Sequence, residues 1–274
     1  MTASPARPIV RYHGGKWRLA PWIISFFPGH RTYVEPYGGG ASVLLRKDRS
    51  YCEVYNDLSS EMVNLFRMAR DRGPELRRLV ELTPFAREEF ELSYEETDDA
   101  LEQARRTMVR CGMGVGSTAT SARHRTGFRG LATRRGTHPG TDWAGLGANL
   151  EAVIERLQGV VIEHRPALDV IRYYDSPRTL HYIDPPYLAE TRTWQSGKGH
   201  YEYEMSDQDH EELAAALCGL EGAVIVSGYP SALYEELYRG WDRAEREALT
   251  DGSAHRTEVL WMRGLDFGLF AEEV

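Results

Sequence analysis

The sequence predicts an α/β layer fold with buried strands, and three observations predict it. Short β-branched and aromatic runs alternate with helical segments over roughly the first hundred residues. The strand candidates are brief apolar runs that stop at a polar residue or a glycine, as strands covered on both faces do. Two of these strand ends lead into turns rich in chemistry, one of glycines and one of prolines. At 274 residues and 42% apolar, the chain can bury one substantial core and carry a smaller inserted domain.

Taken in order, a helix is expected over 16–26, then strands over 32–35 and 52–56 and a helix over 59–71. After a long middle segment come a helix over 146–157 and strands over 160–164 and 179–184. A helix over 207–217 follows, where Ser206 and Asp209 make an N-cap with an acidic first turn. A strand over 223–227, a helix over 231–238 and a strand over 257–262 complete the pattern, with no internal repeat.

Cys52, Cys111 and Cys218 are odd in number, widely spaced and without a CxxC pair, so neither a disulfide framework nor a zinc site is indicated, and a reducing cytoplasm fits best. The longest apolar run, 21–27, falls far short of the roughly 20 residues a membrane span needs. No basic region followed by an apolar core opens the chain, so neither export nor anchoring is expected.

The net charge of −8 at first argues against a phosphate-rich partner. Charge is unevenly placed, however: 81–102 holds nine acids and one arginine, whereas 103–141 holds eight arginines and no acid. Setting those eight aside leaves −16. The arginines are Arg105, Arg106, Arg110, Arg123, Arg125, Arg129, Arg134 and Arg135, interleaved with glycines, Ser/Thr and Phe128, and little periodicity follows Gly112. The segment reads as a long cationic loop or hairpin, either a solvated insertion or a surface for phosphate oxygens and guanine edges, which suit the planar guanidinium fork.

Three clusters carry chemistry. Asp184-Pro185-Pro186-Tyr187 follows the apolar run 180–183, so a strand delivers an acid to its carboxyl end and the prolines stop it there. A carboxylate beside an outward carbonyl accepts both hydrogens of a planar NH₂ group and leaves its nitrogen able to attack an electrophile. Tyr187 offers a face on which a flipped base could stack. The plain alternative is a Pro-Pro turn with a solvent-facing acid. Upstream, Glu35-Pro36-Tyr37-Gly38-Gly39-Gly40 leaves the first strand through a turn that permits close approach of a cofactor, and it is neither GxGxxG nor a phosphate loop. The second strand ends at Asn56-Asp57, where Asp57 is either an acceptor for ribose hydroxyls or the N-cap of the next helix. Arg11-Tyr12-His13-Gly14-Gly15-Lys16-Trp17-Arg18 is a phosphate-contacting turn or the lead into the first helix.

In this order and together, the clusters resemble the Dam-like, or D12, family of DNA adenine-N6 methyltransferases over nearly the whole chain. The matching elements are Tyr12-His13-Gly14-Gly15-Lys16, the 35–40 turn, Asp57, the arginine-rich insertion and Asp184 to Tyr187, with weaker matches at Asp169, His210, Ser227-Gly228-Tyr229 and Thr257-Glu258-Val259-Leu260-Trp261-Met262. The resemblance implies a doubly wound, Rossmann-like methyltransferase sheet formed by 1–59 and 160–274, interrupted by a mainly helical target-recognition domain at 60–159. It implies S-adenosylmethionine as cofactor, held by Tyr12, Gly15, Lys16, Glu35, Pro36, Tyr37, Gly38, Gly40, Asp57, Asp169 and Asp184. It further implies catalysis at Asp184, Pro185, Pro186 and Tyr187, no metal, and a monomer or weak dimer on double-stranded DNA. The DNA contacts expected are Arg11, Arg110, Arg123, Arg125, Arg129, Arg134 and Arg135. Residues 103–141 do not match the recognition hairpin of the Gly-Ala-Thr-Cys readers, so no target sequence is implied.

Other readings use the same turns differently. A cytosine-N4, RNA adenine or protein glutamine methyltransferase would need the same pair of acceptors; an Asp at position 184 and the order of the elements favour adenine in DNA. A non-catalytic DNA-binding homologue would be expected to have lost Asp184, Tyr187 or the glycine turn. A dinucleotide-linked oxidoreductase would need a different glycine spacing.

Overall fold

A computed structural model describes residues 4–116, 125–130, 138–191, 203–249 and 255–265. The chain divides into two units: Met1–Trp17 with Gly39–Arg46 and Ser59–Ile162, and Arg18–Gly38 with Lys47–Leu58 and Glu163–Val274. The helical unit thus takes in more than the expected insertion, because the N-terminal segment and the end of the glycine turn with the residues after it, Gly39–Arg46, group with it.

The strands form one seven-stranded sheet: β1 (Thr32–Glu35), β2 (Cys52–Asn56), β3 (Val161–Glu163), β4 (Thr179–Ile183), β5 (Ala223–Gly228), β6 (Asp242–Leu249) and β7 (His255–Arg263), in the order β3-β2-β1-β4-β5-β7-β6. β1 pairs in parallel with β2 and β4, and β4 with β5, whereas β7 runs antiparallel to both β5 and β6. This mixed α/β sheet is consistent with the Rossmann-like sheet expected. Sequence order reverses direction between β1 and β4, and a doubly wound sheet opens a ligand crevice at the carboxyl ends on either side of such a reversal.

β4 is buried along its whole length, as is β5. One side of the second unit's core gathers Ile183, Val224, Val226, Val259 and Trp261 from the sheet with Leu213 and Leu217 of helix Asp207–Cys218. That helix opens on the expected cap: the Ser206 hydroxyl and the Asp209 carboxylate exchange bonds with each other's backbone N–H groups. Elsewhere Val34, Val54 and Val170 pack together.

Three expectations change. The helix expected over 16–26 shrinks to α1 (Ala20–Ile24), since Pro21 is tolerated only in a first turn and so fixes where the helix begins. β6 was not anticipated, because Asp-Arg-Ala-Glu-Arg-Glu-Ala-Leu lacks β-branched residues; it is an edge strand, where charge prevents further pairing. Third, the arginine-rich segment begins as a helix.

In the first unit, α2 (Ser60–Asp71), α3 (Gly73–Leu82), α4 (Arg87–Leu92), α5 (Ala100–Met113), α6 (Pro139–Ala144) and α7 (Leu146–Leu157) follow one another. α2 buries Met62, Val63, Leu65, Phe66 and Ala69 at helical spacing. Asp99 caps α5, accepting from the Leu101 and Glu102 N–H groups at 2.8 and 3.3 Å. Along α5 the arginines meet acids distant in sequence or one turn away: Arg105 bonds Glu102 and Glu89, each at 2.7 Å, Arg106 bonds Glu102 at 2.7 Å, and Arg110 bonds Glu61. The absence of acids from 103–141 therefore does not leave these charges uncancelled. Beyond α5, Val115 N–H donates to Gly127 O at 2.9 Å and Arg129 N–H to Met113 O at 2.7 Å, pairing two short antiparallel segments.

All three cysteines are free thiols, and among the described residues no helix is long and apolar enough to cross a membrane. Arg110 is 1% exposed and Glu61 partly so, which makes their pair a structural one. Arg110→Met is expected to lower unfolding stability by up to about 3 kcal/mol by leaving Glu61 without its cation, read by urea denaturation. A loss within experimental error would show that the pair contributes nothing.

Candidate active site

The carboxyl edge of the second unit's sheet is built from the ends of β1, β2, β4 and β5. Glu35 closes β1 and is 3% exposed, with the Tyr33 hydroxyl donating to its Oε2 at 2.8 Å. Tyr33 and Glu35 stand two residues apart and so on one face of the strand. Burial, reinforced by the Glu35 carboxylate, pushes the Tyr33 phenol well above its usual range, so it stays a donor.

After Glu35 the chain turns sharply, and Asn56 at the end of β2 holds the turn. Its buried side-chain amide donates to Pro36 O at 2.9 Å and Arg165 O at 3.0 Å and accepts from Arg165 N–H at 2.9 Å; its backbone O accepts from Gly38 N–H at 2.7 Å. This approach explains the glycine, since a Cβ on Gly38 would lie 2.2 Å from the Tyr55 ring and 2.9 Å from Asn56 O. Pro36 is buried, and Tyr37 packs its ring against the core. Asp57 is half-buried immediately past β2, and the cap position of α2 belongs to Ser59, which removes the capping role for Asp57. Asp169 stands exposed in the first turn of the helix Ala167–Tyr173.

Asp184 follows β4 directly and is half-buried. The Ser227 hydroxyl, from β5, donates to its Oδ1 at 2.8 Å, and the Tyr182 hydroxyl lies 3.1 Å from Ser227 Oγ. Pro185 is buried, and Tyr187 is 5% exposed with its hydroxyl donating to Glu258 of β7. The Tyr187 ring meets Tyr229 edge to face, with centroids 4.7 Å apart. Burial, together with the Asp184 and Glu258 carboxylates, pushes the Tyr187 phenol far up. The sequence named Ser227 and Glu258 only as weak strand matches; their links to Asp184 and Tyr187 span 43 and 71 residues, and no local pattern could have shown them.

Within the first unit, Tyr12 lies against two glycines. Gly39 has φ +46, a conformation that favours glycine, and a Cβ there would meet the Tyr12 ring at 2.6 Å; at Gly40 it would meet Tyr12 Cβ at 3.0 Å. Gly15 N–H donates to Tyr12 O at 3.1 Å, and Lys16, 5% exposed, donates to Gly14 O at 2.8 Å. The structure thus brings Tyr12, Gly15, Lys16 and Gly40 together.

The expected DNA-contacting arginines part company. Arg110 lies inside the helical unit, because Glu61, Ser93 O and Thr107 claim its guanidinium. Arg123, Arg134 and Arg135 lie outside the described residues. Arg11 and Arg129 converge on Asp142 Oδ2 at 3.5 and 3.4 Å, joined by Arg7, which was not anticipated and donates to Asp142 O at 2.9 Å. Partial burial, with mutual repulsion from Arg11, lowers the affinity of Arg7 and Arg129 for their protons, and Asp142 opposes that. Arg125 lies over the Tyr94 ring, 5.0 Å from its centroid. Among the described residues no group of three His, Cys, Asp or Glu side chains could hold a metal ion.

Gly38→Ala is expected to destabilise the second unit by about 1–3 kcal/mol through overpacking against Tyr55 and Asn56, measured by denaturant unfolding. Unchanged stability would mean that the turn relaxes freely.

A search of curated proteins finds no match to this sequence. The family model for D12 class N6 adenine-specific DNA methyltransferases matches residues 12–251, a span that includes the glycine turn, all of the helical unit from residue 12 onward and the Asp184 turn. The chain belongs to the D12 class of N6 adenine-specific DNA methyltransferases.

Proposed function

We propose that this protein methylates N6 of an adenine flipped out of duplex DNA, and that the transfer takes place at the carboxyl edge of β1, β4 and β5. Membership of the family makes the activity S-adenosylmethionine-dependent adenine methylation of DNA. The observation that carries the assignment of the site is Asp184, delivered by a buried strand to a proline-stopped end at the reversal of strand order and held there by Ser227.

The residues present fit the cofactor. Glu35 ends β1 and Asp57 lies just past the adjacent parallel β2, and the turn between β1 and the end of β2 is so close that a Cβ at Gly38 would clash, an arrangement of acids and close backbone of the kind that suits ribose hydroxyls and an amine. When bound, S-adenosylmethionine supplies an electrophilic methyl group on a sulfonium. Glu35, Pro36, Tyr37, Gly38 and Asp57 would hold it, with Asp184 at the methionine end. Tyr12, Gly15, Lys16, Gly40 and Asp169 join this set from the family resemblance alone.

Toward the acceptor, the Asp184 carboxylate and the Pro185 carbonyl accept hydrogen bonds from the two N6–H groups. Accepting both withdraws the nitrogen lone pair from conjugation with the ring and aims it along the line of attack. Pro186 fixes the turn, and Tyr187 provides the aromatic wall for the extruded base. The helical unit, residues 60–159 in the main, acts as the target-recognition domain, with its arginine-rich segment on DNA. Arg11, Arg125 and Arg129, now with Arg7, meet phosphates there together with Arg123, Arg134 and Arg135. Arg110 is left out because its charge is neutralised internally.

Asp184→Ala is expected to cut methyl transfer by about 100-fold or more while leaving DNA affinity within a few-fold, since one positioned polar group at a reacting centre is worth about that much. Normal turnover in a tritiated-methyl assay would refute the assignment of Asp184. Replacing Arg7, Arg11 and Arg129 by Gln is expected to weaken duplex binding and reduce the slope of log K against log salt by about 0.9 per lost phosphate contact. An unchanged slope in a polarisation titration would remove the cluster from the interface.

A further inference from the structure

Two buried polar side chains stand behind the Asp184 turn without a part in the chemistry described so far. Ser227 is fully buried and Glu258 is 3% exposed. They sit on neighbouring strands: Ser227 pairs with Leu260 and Gly228 with Val259, so Glu258 is the next position along β7. Each reaches one end of the tetrapeptide, Ser227 to Asp184 at 2.8 Å and Glu258 to the Tyr187 hydroxyl. We propose that Ser227 and Glu258 are positioning residues, which form with β5 and β7 a rigid polar backing that fixes the Asp184 carboxylate and the Tyr187 ring before the acceptor base arrives. The inference rests on the reading of this turn as the acceptor-base site.

The hydrogen-bond inventory supports it. Ser227 has one hydrogen and two competing acceptors, Asp184 Oδ1 at 2.8 Å and Ile183 O at 3.4 Å, so the shorter bond takes it. The Tyr182 hydroxyl, 3.1 Å away, then donates to Ser227, and a directed chain runs Tyr182, Ser227, Asp184. Burial and the Asp184 carboxylate push the Tyr182 phenol far above its usual range, so the chain keeps its direction at ordinary pH. A carboxylate on a turn otherwise rotates about its last bond, and this chain stops it. Tyr187 is pinned similarly at both ends, by the proline turn at its backbone and by Glu258 at its hydroxyl. Because the ring is 5% exposed, a base that stacks on it must displace its cover, and the tether keeps the ring in place meanwhile. A Glu this buried in turn needs donors, which ties β7 to the turn.

The test uses the full-length enzyme and duplexes carrying 2-aminopurine at the methylated position, once that position is located by sequencing modified DNA. Wild type should show increased fluorescence on binding, as an extruded base does. Ser227→Ala is expected to lower kcat by about 10- to 100-fold with KM for DNA and the affinity for S-adenosylmethionine within about twofold, the pattern of lost orientation rather than lost binding. Glu258→Leu should alter the 2-aminopurine signal at saturating DNA and lower kcat, whereas Glu258→Gln, which keeps an acceptor oxygen, should behave nearly as wild type. Unchanged kcat in Ser227→Ala, a wild-type signal in Glu258→Leu, or a folded Glu258→Gln as impaired as Glu258→Leu would each overturn the proposal. No wild-type fluorescence change and no methyl transfer would instead overturn the reading of the site on which it rests.

Discussion

A parallel sheet satisfies its backbone groups along the strands but must leave them at the strand ends, and the reversal of order between β1 and β4 concentrates such ends in one place. That constraint governs the second unit. Glu35, Asn56 and Asp184 all stand at or just past a carboxyl end because their strands are short and stop there, Asp184 for the added reason that prolines follow. The close packing at Gly38 follows as well: β1 and β2 are adjacent and parallel, so the turn leaving β1 passes over the end of β2, where Asn56 receives it. A side chain with one acceptor and two donors is suited to that position, because it satisfies carbonyls of two loops and one N–H without introducing charge.

Behind the turn, the polar groups are arranged in pairs of unlike kind. Tyr33 with Glu35, Tyr182 through Ser227 with Asp184, and Tyr187 with Glu258 each couple a phenol to a carboxylate. Burying an acid is costly unless donors surround it, and a tyrosine supplies a donor on a rigid, apolar body that fits a core. A lysine in the same place would neutralise the carboxylate and weaken it as an acceptor; a phenol leaves the negative charge available while fixing its direction. The acid nearest the solvent, Asp184, is the one expected to meet the substrate.

How much of this was legible in the sequence depends on the distance over which each feature is determined. The Asp184 turn, the glycine turn and the Ser206 cap are local, set by prolines, glycines and a capping side chain within a few residues, and they read directly. The strands β1, β2, β4 and β5 read from short apolar runs. β6 did not, because an edge strand is chosen by its partner β7 and its own residues favour helix. α3 to α6 went unread in a segment dominated by charge, where the acids and arginines conceal the apolar spacing. Tyr187 with Glu258 and Asn56 with Arg165 are contacts made only by the fold, and no periodicity encodes them.

Ion pairing within the helical unit cancels the charge of three of the eight arginines, Arg105, Arg106 and Arg110. Eight arginines without an intervening acid looked like a single cationic surface, yet sequence blocks are not spatial blocks: Glu89 from α4, Glu61 from α2 and Glu102 in the first turn of α5 itself neutralise Arg105, Arg106 and Arg110. The two opposite blocks therefore hold the helical unit together where they meet. Among the described residues, a compact group of positive charge remains elsewhere: Arg11 and Arg129 share the Asp142 carboxylate at 3.5 and 3.4 Å, and Arg7 donates to the Asp142 backbone carbonyl at 2.9 Å. Three cations about one anion leave a net excess that solvent screens only in part, because Arg129 is mostly buried. Under the proposed function, such a local excess on a chain of net charge −8 would favour a polyanion's approach at that cluster.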